Sequence, residues 1–470
     1  MVDPQFPEFV SIRLSRKKNA PLYVQLYDQI SKLIRERMLS PGRPLPPVRQ
    51  LASLLSVNPG TVVSAYRELE RNGYILTRGG SGSFIAETPD TSAAATAELT
   101  EETPLPGAID MSRISLNRDI ISISTFKSVI DQVLDRDGID AFTYPESQGY
   151  RPLRDSMAAV LAGKGIRTSS DHIQIVSGAQ QGIDIVARAL LQHGDFVVTE
   201  TPTYPGATAV FRACGAHIAD VPVCADGADM DRLEKTIRRF RPRLLYLMPD
   251  IQNPTGISWS PMARTRLMGL AKYYDFYILE DDYAGGLHYG KRPLKPLKAM
   301  DHEDRVLYLR SVSALFMPGL RLAFLTMPAA LSHAVRNVKY ISDIATSGLA
   351  QRVFDLYLRN GLWQKHITSL RSIYGAQLKF TLQAAKTYLP PDVSWIEPAG
   401  GLSVWITLPD RLAAADIIRS ARTAGLLLQD GAPFYVRRPP GHEIRLSFAL
   451  PTLPEIEQGM DILGQLCRKK

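Results

Sequence analysis

Apolar residues recur three and four positions apart in three short stretches near the N-terminus. Tyr23, Leu26, Tyr27, Ile30 and Ile34 form one stripe. Val48, Leu51, Ala52 and Leu55 form a second, and Val62, Ala65, Tyr66 and Leu69 a third. That spacing predicts three amphipathic helices. The last two are separated by SVNPG, a turn of the length that joins a helix-turn-helix. GYILTRGGSGSFIA follows at residues 73–86, two apolar runs around a Gly/Ser tip, which predicts a β-hairpin wing. The pattern then stops. Residues 79–112 contain no lysine or arginine, and TPDTSAAATAELTEETPLPG within them has neither a helical nor a strand period. Such a composition predicts a solvated linker. Beyond it, HIQIVSG, DFVVTETP, RLLYLMPD, FYILEDDY, RVLYLRSVS and RLAFLTMP are of strand length and apolar on both faces. Strands like these belong to a buried, mostly parallel sheet. Helical patterns such as QQGIDIVARALLQ lie between them. The expected fold class is therefore α/β in the large part. The expected division is a small helical domain over residues 12–87, a linker over 88–112 and a large domain over 113–470.

Composition narrows this picture only slightly. The 470 residues are 45% hydrophobic and 22% charged, ordinary for a globular protein, and no apolar run is long enough for a membrane span. The three cysteines lack metal-ligand spacing, and the N-terminus lacks a signal peptide's apolar core, so a reducing cytoplasmic setting is expected. A formal charge of +8 permits a nucleic-acid partner without requiring one.

The candidate chemistry falls in two places. In the small domain, Arg49 opens the second helix, Thr61 the third, and Arg78 sits on the wing. Helix N-termini and cationic side chains contact DNA phosphates, and the third helix of such a domain enters the major groove. In the large domain the loaded residues follow the strands, where ligands of open α/β sheets bind. SGAQQG at 177–182 opens a helix with free backbone N–H groups, Tyr204 can stack on a planar ring, and Asn253 can donate a hydrogen bond. Asp281 and Tyr283 end FYILEDDY, where the acidic pair could equally cap a helix or bind metal. Ser311, Ser313 and Arg321 can hold a phosphate.

PLYVQLYDQISKLI, LSPGRPLPPVRQLASLLSVNPGTVVSAYRELERNGYI and RGGSGSFI resemble the winged helix-turn-helix of GntR-type transcription regulators. The resemblance implies a double-stranded DNA operator and a DNA surface that includes Arg49, Asn58, Gly60, Thr61, Arg78, Gly80 and Gly82. Asn58-Pro59-Gly60 stands where that family often has Ser-Arg or Thr-Arg, so one base-reading arginine is missing. The large domain resembles fold-type-I aminotransferases that use pyridoxal 5'-phosphate (PLP). The shared features are YPESQGYRPLRDSMAAVL, HEIRLSFA and the ordered site motifs above. By that resemblance Tyr204 stacks on the pyridine, Asp281 pairs with its nitrogen, and Asn253 and Tyr283 hold the phenolic oxygen. Gly178, Ala179, Gln180, Ser311, Ser313 and Arg321 hold the phosphate, and Arg445 takes an amino acid's carboxylate. The two halves together resemble MocR/GabR-like regulators. That implies an amine or amino-acid effector and a homodimer, without a metal or a membrane.

One position breaks the aminotransferase pattern. In SVSALFMPGLRLAF the lysine that forms the Schiff base is replaced by Ala314. Alanine offers no nucleophile. Loss of the positioned acid–base group alone costs about 10²- to 10⁴-fold in rate. The expected catalytic set is therefore empty. PLP is expected to bind non-covalently or as a ready-made imine with an effector. A PLP-dependent aminotransferase is the alternative if Ala314 stands in place of a natural lysine.

Overall fold

The computed structural model describes residues 6–15, 21–35, 38–40, 42–71, 74–78, 82–85, 106–117, 120–290, 294–313, 315–437 and 439–468. They form two compact units, residues 1–99 and 100–470. Ala314, Gly80 and most of the expected linker lie outside the described residues.

The first unit holds α1 (Leu22–Arg35), α2 (Val48–Leu54), α3 (Pro59–Arg71) and a hairpin of β1 (Ile75–Arg78) and β2 (Gly82–Ile85). The predicted stripes meet in one core. Leu26, Ile30, Leu51, Val62, Ala65 and Leu69 are buried there, each large apolar side chain contributing roughly 1.5–3 kcal/mol. Tyr23, read as part of the first stripe, is 37% exposed instead. This unit also begins earlier than residue 12. Phe6 and Phe9 are buried in the same core, and Glu8 pairs with Arg43 at 2.7 Å.

The second unit opens with β3 (Ile109–Asp110), α4 (Ile123–Asp137) and α5 (Arg151–Ala162). Its sheet is then built from β4 (Ile173–Val176), β5 (Phe196–Thr201), β6 (His217–Cys224), β7 (Gly227–Ala228), β8 (Leu244–Leu247), β9 (Tyr277–Asp282), β10 (Val306–Ser311) and β11 (Ala323–Thr326). The strand order is β4-β11-β10-β9-β8-β5-β6-β7. The pairs from β10 through β6 are parallel, and β11 runs antiparallel to both β10 and β4. Between strands lie α6 (Ala179–Leu190), α7 (Pro205–Ala213), α8 (Met230–Phe240) and α9 (Pro261–Tyr274). Asp229 and Ser260 cap α8 and α9 through side-chain oxygens that accept from first-turn N–H groups, as such residues do at helix starts. α6 and α7 cover one face of the sheet, and α8 and α9 the other.

The chain continues through α10 (Ser332–Asp343), α11 (Gly348–Arg359) and α12 (Leu362–Tyr388) into β12 (Ser394–Ile396) and β13 (Ser403–Thr407). It ends with α13 (Ala414–Thr423), β14 (Leu426–Leu427), β15 (Gln429–Asp430), β16 (Glu443–Ser447) and α14 (Leu453–Arg468). β12-β13-β16-β15 is a separate antiparallel sheet that the strand pattern did not reveal. A boundary also needs correction. The linker was expected to run to residue 112, yet β3 pairs in parallel with β14, and Ser447 N–H donates to the Met111 carbonyl. Residues 109–112 thus belong to the large domain. Their run of Ile, Asp, Met and Ser is too short to show a period, and only the remote partner strand makes it a strand.

Candidate functional site

The parallel strands end along one edge of the large sheet. Because β11 runs the other way, its start lies at that same edge: Ser311 pairs with Ala323, and Ala323 with Val176. This is how the topology gathers residues far apart in sequence. Ser177–Gln180 follow β4, Tyr204 and Asn253 follow β5 and β8, and Asp281 and Tyr283 end β9. Ser311 and Ser313 end β10, and Arg321 precedes β11.

The phosphate-type turn is built around Gly178, the residue before α6, at φ 95°. A Cβ there would stand 2.4 Å from the Arg321 guanidinium, which donates to the Ser177 carbonyl at 3.1 Å. Only glycine allows that approach. The first-turn N–H groups of α6, at Ala179 and Gln180, face outward from a helix start, the usual setting for an anion. Ser311 is buried and its Oγ accepts from the Ser313 N–H at 3.3 Å, while the buried Ser313 Oγ has no partner. A cavity of about 400 Å³ borders Ser177, Arg321 and Thr346 on this side.

The residues expected at a cofactor ring lie further along the edge. Tyr204 OH donates to Gln180 Oε1 at 3.1 Å, and Gln180 Nε2 donates to the Gly206 carbonyl at 2.9 Å. A Cβ on Gly206 would come within 2.6 Å of the Tyr204 ring, so glycine is needed there too. Asp281 is 3% exposed; its Oδ2 accepts from Tyr246 OH at 2.7 Å and its Oδ1 has no partner. Burial pushes this carboxyl up to about 7, opposed by the Tyr246 hydrogen bond and reinforced by the charge of Asp282. A buried acceptor without a partner costs about 1–3 kcal/mol, which a protonated ring nitrogen would offset. The Arg445 guanidinium donates to the Ser112 carbonyl at 2.9 Å and to Asn253 Oδ1 at 3.4 Å, and packs 5.0 Å from the Phe434 ring. Its Nε has no partner, and burial lowers its pKa to about 10. A carboxylate in a forked contact would satisfy it.

The acidic pair at 281–282 resolves into two roles. Successive strand residues face opposite sides. Asp282 turns to the other face, where it receives Lys164 at 2.9 Å, Arg310 at 2.7 Å and the Tyr308 hydroxyl. Burial alone would raise Asp282, but the charges of Lys164 and Arg310 hold it well below the usual carboxylate range. No helix starts directly after β9 for the pair to cap, and Asp282 is taken up by this ion network. Sequence reasoning missed Tyr246, Lys164, Tyr308 and Arg310. Polar residues inside the apolar runs RLLYLMPD and RVLYLRSVS were the available signal for Tyr246, Tyr308 and Arg310, whereas Lys164 lies in neither run.

In the first unit, Arg49, Asn58 and Gly60 are exposed and Thr61 is half-buried. Asn58 Oδ1 accepts from the Gly60 N–H at 2.8 Å, closing the turn before α3. Ser64 and Arg67 follow Thr61 at helical spacing along α3, extend this surface and were not picked out from the sequence. The wing is tied to the body: Leu45 N–H donates to the Ser83 carbonyl, and Thr77 N–H to Glu70 Oε1. Arg78 and Gly82 pair across its hairpin, and Gly82 is exposed at φ 97°.

Comparison with known proteins agrees with both halves. The model of the bacterial regulatory proteins, gntR family, matches residues 22–85, and that of aminotransferase class I and II matches residues 114–463. The chain is 27% identical to an uncharacterized HTH-type transcriptional regulator, YisV, of Bacillus subtilis, over 97% of this chain and 98% of that one. It is 33% identical to the 2-aminoadipate transaminase of Thermus thermophilus, over 71% of this chain and 83% of that one. The crystal structure of LysN, the α-aminoadipate aminotransferase of Thermus thermophilus, superposes with a TM-score of 0.74. It covers 77% of this chain and 93% of its own, at 30% identity. The aminotransferase fold implies PLP, and the partnerless Asp281 and Ser313 oxygens fit that cofactor. The chain belongs to the class I and II aminotransferase family, joined in one polypeptide to a gntR-family DNA-binding domain in the MocR-like arrangement.

Proposed function

We propose that this protein is a DNA-binding transcription regulator whose aminotransferase-like domain binds PLP without a covalent bond and senses an amine or amino acid, without turnover. One juxtaposition carries the reading. The residues expected of the cradle, Tyr204, Asn253, Asp281 and Arg445, are all present, with buried Asp281 and Arg445 atoms that lack a partner, while position 314 supplies no amine. The described lysines near the sheet do not replace it. Lys164 is bound to Asp282 on the face of β9 opposite Asp281, and Lys339 is bound to Asp343.

When bound, PLP supplies an electron-withdrawing ring. The residues of this chain hold and orient it. Asp281 keeps a proton at the ring nitrogen, Tyr204 stacks, Asn253 and Tyr283 hold the phenolic oxygen, and the Gly178 turn with Ser311, Ser313 and Arg321 binds the phosphate. Arg445 receives the carboxylate of an amino acid, alone or already joined to the cofactor. By resemblance to its relatives the working form is a homodimer that operates in the cytoplasm on an operator. Arg49, Asn58, Gly60, Thr61, Arg78, Gly80 and Gly82 contact that operator.

The test is spectroscopic. PLP added to the protein is expected to give a visible chromophore that survives desalting but leaves no covalent adduct after borohydride reduction, whereas Ala314→Lys gives the adduct. Protein that retains no chromophore at saturating PLP would refute cofactor binding.

A further inference from the structure

α8 and the turn after it carry six cations in twelve residues: Arg232, Lys235, Arg238, Arg239, Arg241 and Arg243. All six are exposed. The two acids of α8 do not neutralise them, because Asp231 and Glu234 are both taken by Arg266 of α9, at 2.8 and 3.0 Å. Among the described residues none of the six makes an ion pair. Two are instead held against aromatic rings. Arg239 lies 4.8 Å from the Phe240 ring, which itself stacks on Phe196 at 4.8 Å, and Arg241 lies 5.1 Å from Tyr274. These rings hold the guanidinium groups in place and reduce the ordering entropy spent on binding.

Local stability does not account for the stretch. Cations in the last turn of a helix gain about 0.3–1 kcal/mol from its dipole, which covers Arg238 and Arg239. Arg232 sits in the first turn, where that same dipole disfavours it, and Lys235 lies mid-helix. Arg243 lies beyond the helix, just before β8. Arg243 thus marks the sheet edge opposite the one bearing Asn253 and Asp281, so this surface is separate from the cofactor site.

We propose that this basic face is a second contact for the phosphate backbone of duplex DNA, used in addition to the winged helix. The proposal rests on the DNA-binding reading of the chain and extends it to the aminotransferase-like domain. From Arg232 to Arg239 the helix rises about 10 Å, a length over which duplex DNA carries about six phosphate charges. A duplex held by the winged helix is at high effective concentration for any other site on the same chain.

The test uses full-length protein and duplexes of unrelated sequence, one of about 20 and one of about 60 base pairs, titrated at several salt concentrations. Lys235→Gln, Arg238→Gln and Arg239→Gln are combined, since glutamine preserves helix propensity. On the long duplex the slope of log affinity against log salt is expected to become shallower by about 2–3, near 0.9 for each phosphate no longer neutralised. A second background disables the winged helix with Arg49→Glu and Thr61→Glu. There the wild-type basic face should retain weak low-salt binding to the long duplex, and the triple change should remove it. Equal slopes with and without the triple change overturn the proposal, as does a disabled protein with no residual binding. An acidic protein partner for this face would give those equal slopes. If disabling the winged helix leaves short-duplex binding intact, the winged-helix reading fails, while the long-duplex slopes still judge the basic face.

Discussion

Asp281 and Asp282 are chemically identical neighbours with opposite electrostatics, and the difference is geometric. Each leaves its Oδ1 without a partner, but the Oδ2 of Asp281 has one hydroxyl donor, whereas that of Asp282 has two cations and a hydroxyl. Asp281→Asn should lower PLP retention at least tenfold, measured by dialysis and absorbance, because a neutral amide cannot hold the ring proton. The pH dependence follows from the directions of shift. Asp281, Glu200 and Glu280 are each pushed by burial up to about 7. Their unfolded values lie near 4, so they contribute stability that is fully present below about pH 4 and lost as pH rises towards 7. Asp282 works the other way, because its depressed pKa contributes stability that is lost as pH falls below about 4. The melting temperature of the cofactor-free protein should therefore fall between about pH 5 and 7, and Asp281→Asn should flatten part of that fall. Arg310→Met should destabilise by about 3–5 kcal/mol in chemical denaturation, since it leaves Asp282 buried with less compensation.

At the scale of elements, the two turns that open helices do the positioning. Gly178→Ala would place a Cβ against Arg321 and strain a backbone at φ 95°. The expected loss is about 1–3 kcal/mol of stability, with weaker PLP binding, read by thermal melts with and without the cofactor. In the first unit Thr61→Ala at the start of α3 should weaken DNA binding while leaving the fold intact, as circular dichroism would show. The helices and strands themselves were largely legible in the sequence. The three stripes of the first unit became α1, α2 and α3, and the six apolar runs became β4, β5, β8, β9, β10 and β11. Periods of that kind report burial, which local spacing encodes. The sheet β12-β13-β16-β15 was not picked out from the sequence.

For the whole molecule the question is coupling between two units with separate cores. A sensor requires that PLP with an amine favour one DNA-binding state over another, typically by about 1–3 kcal/mol, or roughly 5- to 150-fold in affinity. Titrating operator binding with PLP and a panel of amines should show a shift in that range. Identical affinity under every condition would leave the large domain as a dimerisation scaffold.

By itself the sequence determined the α/β class, the division into a small and a large domain, the order of the site motifs and the alanine at 314. These are local properties: periodicity, composition and residue identity. The family resemblance already singled out Asp281; only the tertiary structure turned its neighbour Asp282 to the other face, onto Lys164 and Arg310, because strand alternation has a phase that packing alone sets. It also supplied Tyr246 as the partner of Asp281. It brought the Ser112 carbonyl to Arg445 across 333 residues, and it drew residues 109–112 out of the expected linker into the large domain. Those outcomes depend on long-range pairing, whose geometry no short window of the chain contains.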